Sequence, residues 1–330
     1  MISGKFQLPL IGKGIAGLAA ALGLLWMFIA RPANFASGHY APEHRVDPLL
    51  LQEHVRKLSE EFVPRNSNHP ENLLRTAEYI KNALRSSAAD VALQAFNVQK
   101  QQFVNVLAKY GPETEEMLVV GAHYDAFSNL PGADDNASGV AGLIELGKLL
   151  KKIPLRTRVE LAAWPLEEPP YFAGSDMGSA VHARSLKEKG KHVKLMIALE
   201  MIGYFSDEKG SQHYPATLLK LFYPNRGNFI AVVDQVVSNQ AQKVKSALNR
   251  FTDLPAYSIN APSFVPGIDF SDHRNYWAEG FPAVMVTDTA FYRNLAYHSK
   301  TDTFDKLNYE KMAKVVYGIF KYIEEVDWKK

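Results

Sequence analysis

Two histidines and several carboxylates stand where an apolar run has just ended. "MLVV" leads into "GAHYD", which presents His123 and Asp125. "VELAAW" leads into Glu167 and Glu168, and "LMIAL" into Glu200. "FPAVMVTD" is followed by "FYRNLAYHSKTDT", with Tyr297 and His298. The loop "PGADDNASG" carries Asp134 and Asp135 just ahead of a helical stretch that begins at Ser138. Imidazole nitrogen and carboxylate oxygen both bind zinc, and a catalytic zinc keeps one position open for water. Two ions about 3.5–4 Å apart need a carboxylate that reaches both. Asp134, on a glycine-flanked turn, suits that bridging role. In extended backbone Asp125 lies on the same side as His123 and can accept its other ring N–H.

The doublet Glu167–Glu168 is followed by Pro169 and Pro170. A residue before proline is restricted to extended backbone, so Glu168 is held directly. One glutamate of such a pair can bind metal while its neighbour takes a proton from the attacking water. Nearby cations stabilise the negative charge on both. Water acidified by a metal to a pKa near 7 needs only a modest base. Each signal alone has a plainer meaning. Paired glutamates are usually solvated surface, H-x-D is short, and acidic residues before a helix suit its dipole. Glu200 is harder to dismiss, because a charge ending an apolar strand needs a partner. The joint placement at strand ends is what argues for a site.

The elements behind these residues read as α/β. After residue 46, "DPLLLQEHVRKLSEEF" and "HPENLLRTAEYIKNAL" are amphipathic helices, the first opening on Asp then Pro. "DVALQAFNVQ" and "FVNVLAKY" alternate as strands do, and could form an antiparallel edge. Solid apolar strands then alternate with helices, which predicts a mixed, largely parallel central sheet with helices on both faces. In such sheets sites form beyond the carboxyl ends of strands. The last helix has Met312, Val315, Val316, Ile319, Phe320 and Ile323 on one face.

Composition narrows the function classes. The chain has 330 residues, 47% hydrophobic and 22% charged, enough for a sizeable core. A net charge of +2 without a basic, aromatic-laced stripe gives no sign of a nucleic-acid partner. The absence of cysteine removes disulfides, thiolate zinc sites and cysteine nucleophiles. Neither G-x-S-x-G nor H-E-x-x-H occurs. Residues 14–30 carry no charge and follow Lys5 and Lys13, so residues 8–30 are expected to anchor the chain as a transmembrane helix, with the rest outside the cytoplasm. The alternative is a signal peptide cut near Ala33 or Ala36. Residues 1–30 are thus a membrane segment, 31–46 a linker, and 47–330 a single domain.

"GAHYD", "PGADDNASG", "LEEPPYF…MGS", "ALEMIGY", "SDHRNYW" and "YHSKTDT" together resemble the zinc exopeptidases of metallopeptidase family 28. That family holds leucyl-type aminopeptidases and, more distantly, glutaminyl cyclases. The resemblance covers about residues 47–330. It implies a three-layer sandwich of the phosphorylase/hydrolase type and two Zn(2+) ions per chain. His123 and Glu200 would bind one ion, Glu168 and His298 the other, with Asp134 as the bridge and Glu167 as general base. It also implies a cis peptide after the bridging aspartate, here Asp134–Asp135. Many members carry Asp where this chain has Glu200. The substrate implied is a peptide with a free N-terminus, and Tyr297 is the candidate oxyanion donor, with plain packing as its other reading. His273 is expected to be a structural hydrogen-bonder. The sequon at Asn136 is expected to be unmodified, lying inside the metal loop. Two alternatives stand: a single-zinc glutaminyl cyclase, and a non-catalytic binding module on the peptidase fold.

Overall fold

The computed structural model describes residues 10–30, 46–88 and 90–328. The helices are α1 (Leu10–Ala30), α2 (Pro48–Glu60), α3 (Pro70–Arg85), α4 (Gly139–Leu150), α5 (Gly178–Glu188), α6 (Gln240–Phe251), α7 (His273–Ala278) and α8 (Tyr309–Trp328). The strands are β1 (Asp90–Val98), β2 (Gln101–Tyr110), β3 (Glu116–His123), β4 (Arg158–Trp164), β5 (His192–Glu200), β6 (Ile230–Asp234), β7 (Ala256–Asn260) and β8 (Ala283–Thr287).

All eight strands form one sheet in the order β1-β2-β4-β3-β5-β8-β6-β7. β4, β3, β5 and β8 run parallel. β1 and β2 form the antiparallel edge that their alternation predicted. β6 runs antiparallel to β8 and parallel to β7. The parallel set matters most for function: four neighbouring strands end on the same side, at His123, Trp164, Glu200 and Thr287.

Side chains of the parallel strands alternate between two cores, as a period of two requires. Leu118 and Val120 of β3 pack with Leu161, Ile197, Val232 and Val286 and with the apolar faces of α2, α3, α4, α6 and α8. Met117 and Val119 point the other way, to Trp164, Met196, Ala183 of α5 and Tyr276 of α7. Both faces of the sheet are therefore covered. In α8 all six expected apolar positions are buried. α2 opens where Asp47 caps it, accepting the Leu49 N–H at 2.9 Å ahead of Pro48. Two elements were not foreseen. β7 is an edge strand whose "AYSIN" alternates with polar residues, and α7 is only six residues long.

The expected membrane span is not found: among the described residues no helix is long and apolar enough to cross a membrane. Residues 8 and 9 and the cut points Ala33 and Ala36 lie outside the described residues, as does the linker up to residue 45.

Candidate metal centre

β3 delivers His123 to the sheet edge fully buried, and β5 delivers Glu200, 6% exposed. The loop after β4 brings Glu167 and Glu168, and the loop after β8 brings His298. These five expected residues meet in one place, together with Asp125.

The carboxylate that lies between the two histidines is that of Asp135, not that of Asp134, the residue expected there. Asp135 Oδ1 lies 3.3 Å from His123 Nε2, and its Oδ2 lies 3.1 Å from His298 Nε2. Glu200 Oε2 is 3.3 Å from His123 Nε2, and Glu168 Oε2 is 3.2 Å from His298 Nε2. Two ligand groups result, His123–Asp135–Glu200 and Asp135–Glu168–His298, sharing one carboxylate. Asp134 is buried with its oxygens already engaged: Oδ1 accepts the Gly203 N–H at 3.0 Å and Oδ2 the Asn294 amide at 2.8 Å. Burial, and then the neighbouring Asp288, hold Asp134 well above the usual carboxylate range, which favours its protonated form. Consecutive side chains in this loop point to different sides, and Asp135 (φ −103°, ψ 92°) is the one turned to the histidines. The cis peptide falls accordingly between Asp135 and Asn136, not between Asp134 and Asp135.

The donor set fits a divalent cation. His123 Nε2, His298 Nε2 and Glu168 Oε1 are buried without a hydrogen-bond partner among the described residues. Buried polar atoms are nearly always paired, so orphans on residues of both ligand groups call for a ligand. Zinc bonds of about 2.0–2.1 Å in a tetrahedral shell separate neighbouring donor atoms by about 3.3 Å. The N···O distances above match that edge, and neither Nε2 makes a hydrogen bond among the described residues.

The electrostatics agree. Burial would lower the His123 pKa, but Glu200 and Glu167 outweigh it and raise it well above the ordinary value. His298 is likewise lowered by burial yet carried up to about 10 by Asp135 and Glu168. Glu168 is pushed up to about 7 by burial and then by Asp135. Glu167 is pushed well above the carboxylate range, first by burial. Carboxylates this crowded need positive charge, from protons or from metal.

Neighbours fix each group. Asp125 sits 3.4 Å from His123 Nδ1, and its two oxygens accept the backbone N–H groups of Glu167 and Glu168 at 3.2 and 3.0 Å. Ser271 donates to Glu200 Oε2 at 2.7 Å. His298 is sandwiched between Phe127 (ring centroids 4.1 Å apart) and Tyr297 (3.8 Å). The Tyr297 ring packs on His298, a contact compatible with both of its expected roles. His273 takes no part, donating from Nε2 to the Ile268 carbonyl at 2.8 Å. The sequon residue Asn136 is fully buried and bonded to Leu199, Gly139 and Met201.

Residues 105–323 match the family model described as Peptidase family M28. The chain belongs to peptidase family M28. This M28 chain is 50% identical over 287 residues to the uncharacterized protein YfbL of Escherichia coli (strain K12), covering 84% of this chain and 88% of that one. It is 24% identical over 277 residues to Probable aminopeptidase YDR415C of Saccharomyces cerevisiae, covering 77% and 67%. In fold it resembles the zinc aminopeptidase BSAP of Bacillus subtilis (TM-score 0.69, 15% identity, 87% of this chain and 97% of that one). It also resembles the glutaminyl cyclase of Bacteroides thetaiotaomicron (TM-score 0.62, 16% identity, 84% and 97%). The M28 model begins at residue 105, so β1, α2 and α3 lie outside it.

Sequence reasoning passed over three residues that build this centre. Asp135 stood beside Asp134, and nothing in the doublet says which one turns inward. Asp302 lay in the quoted "YHSKTDT" without a role, yet its carboxylate accepts the N–H groups of Asp134 and Asp135 at 3.0–3.2 Å. Arg65 carried no signal at all.

A cavity of about 110 Å³ opens beside the centre at Glu200 and Tyr297. It runs across β8, β6 and β7 past Met285, Val233, Tyr257 and Ile259. Its lining is chiefly apolar and aromatic, and among the described residues Glu200 is its only acidic side chain.

Proposed function

We propose that this M28 peptidase is a two-zinc aminopeptidase that removes large apolar or aromatic residues from the free N-terminus of peptides. The observation that carries the reading is Asp135, whose two oxygens face two different histidines and so divide one carboxylate between two ligand groups. His123, Glu200 and Asp135 would hold one ion, and Glu168, His298 and Asp135 the other. When bound there, zinc supplies Lewis-acid polarisation of the scissile carbonyl and a more acidic water. Glu167 belongs to neither group, yet it is buried beside both and lies 3.9 Å from His123 Nε2. Its raised pKa suits a base that takes a proton from water and returns it to the leaving amine. The Tyr297 hydroxyl is the proposed oxyanion donor, with its ring steadied by the stack on His298. The crowd of carboxylates suits the substrate's terminal ammonium.

The cavity supports the side-chain preference. Neighbouring strands lie about 4.8 Å apart, so a channel crossing β8, β6 and β7 is about 10 Å long, enough for an aromatic ring. Beyond Glu200 and His213 the described lining offers an apolar or aromatic side chain better company than a charged one.

The test is zinc content per chain together with a scan of aminoacyl reporters. Two zinc ions with turnover of leucyl or phenylalanyl substrates is the expected result. One zinc, with ammonia released from an N-terminal glutamine peptide, would establish the second reading, a glutaminyl cyclase, which the cyclase-like fold supports. An extracytoplasmic location is also proposed, on the strength of the uncharged residues 14–30 behind two lysines. Cell fractionation that finds the protein in the cytosol would refute it.

A further inference from the structure

The loop that presents Asp135 is gripped from both ends, and one grip comes from outside the segment that matches the M28 model. Arg65 follows α2 and is fully buried. Its guanidinium donates to the carbonyls of Pro131 and Gly132 at 2.6 Å each, of Leu58 at 2.8 Å and of Tyr124 at 3.1 Å. None of these acceptors is a carboxylate, so the fork holds backbone and leaves its charge free to act on the site. On the other side, the Asp302 carboxylate takes the N–H groups of Asp134 and Asp135, and its carbonyl takes that of Ala133 at 3.3 Å. Asp302 lies four residues after His298, so this grip also ties the two ligand loops together. The carbonyls held by Arg65, on Pro131 and Gly132, directly precede the amides held by Asp302, on Ala133, Asp134 and Asp135. Gly132 lets the grips close: its φ is +56°, and a Cβ there would meet the Asp135 carbonyl at 2.2 Å and Arg65 Nη2 at 3.0 Å.

The geometry points to Arg65 as a positioning residue for the bridging carboxylate, acting with Asp302, and so makes residues 46–104 a working part of the metal centre. This rests on reading the centre as a two-ion site. A planar, multi-donor fork is needed to hold carbonyls in four directions, and an ammonium cannot replace it. Burial pulls the Arg65 pKa down only to about 10, so the group is charged at neutral pH, with Asp302 and Asp135 the nearest carboxylates to feel it. Supporting contacts of this kind typically change metal affinity by about 10–100-fold.

The experiment compares wild type, Arg65→Lys, Asp302→Asn and a core control, Ile319→Ala. Zinc affinity is measured by chelator competition well below each melting temperature. Amide exchange at Asp134 and Asp135 is measured on metal-free protein. Both loop variants are expected to bind zinc about 10–100-fold more weakly and to exchange these amides faster, while the control melts earlier with wild-type affinity. If Arg65→Lys does not fold, Asp302→Asn carries the same expectation for the shared loop. Wild-type affinity with wild-type exchange in the loop variants overturns the inference. A wild-type chain that binds no zinc would instead sink the two-ion reading, and amide exchange alone would then decide the grip.

Discussion

Asp125 accepts the backbone N–H of Glu168 at 3.0 Å through the oxygen that does not face His123. Its other oxygen takes the Glu167 N–H, so one carboxylate aligns a histidine and both members of the glutamate pair. Asp125→Asn would turn an amide N–H toward one of these donors. Zinc affinity is expected to fall about 10–100-fold. An unchanged affinity in chelator competition would count against this linkage.

Glu167 is proposed for proton transfer and not for metal binding, and measurement can separate the two roles. Glu167→Gln should lower kcat by about 10²–10⁴-fold. Zinc per chain, read by elemental analysis, should stay at the wild-type value.

The two neighbouring aspartates should respond in opposite ways. Asp135→Asn removes the shared carboxylate and is expected to leave the chain with at most one zinc. Asp134→Asn keeps a neutral group of the same shape between Gly203 and Asn294, so metal content should be retained. Loss of zinc from Asp134→Asn, with Asp135→Asn retaining it, would return the shared position to Asp134.

The cavity can be blocked without touching a proposed ligand. Ala231 on β6 lines it, and Ala231→Phe would fill it. Turnover of leucyl and phenylalanyl reporters should fall more than about tenfold in kcat/KM, while an alanyl reporter is spared. Equal losses on all three would place the substrate side chain elsewhere.

His273, which is not a proposed ligand, supplies a pH dependence of its own. Burial holds its pKa down at about 4, below the ordinary 6.5, so the fold favours the neutral ring. That contribution is complete above pH 6.5 and is lost as the pH falls from there toward 4. The loss amounts to about 2 kcal/mol between pH 7.5 and 5. His273→Gln can keep the bond to Ile268 and should flatten the acid side of the stability curve by about that much in urea titrations.

Much of this was legible in the residues because it depends on local periodicity. Apolar runs of four to eight residues announce strands, and a polar residue directly after a run of known direction must lie at the sheet edge. That logic placed His123, Glu167, Glu168 and Glu200 on one edge before any contact was known. It placed the antiparallel β1–β2 edge as well, through simple alternation. β7 escaped because an edge strand with serine and asparagine has no solid apolar signature.

The sequence by itself determined the strand and helix pattern, the run of ligand-type residues at strand ends and the lack of any thiolate alternative. Only the tertiary structure decided which aspartate of "ADDNAS" turns inward, since that depends on backbone angles set by groups at a distance. Arg65 lies 66 residues from its partner Pro131 and Asp302 168 residues from its partner Asp134, and donors or acceptors brought in from such separations leave no periodic trace. The cavity is likewise a product of packing, because a void has no residue of its own to read.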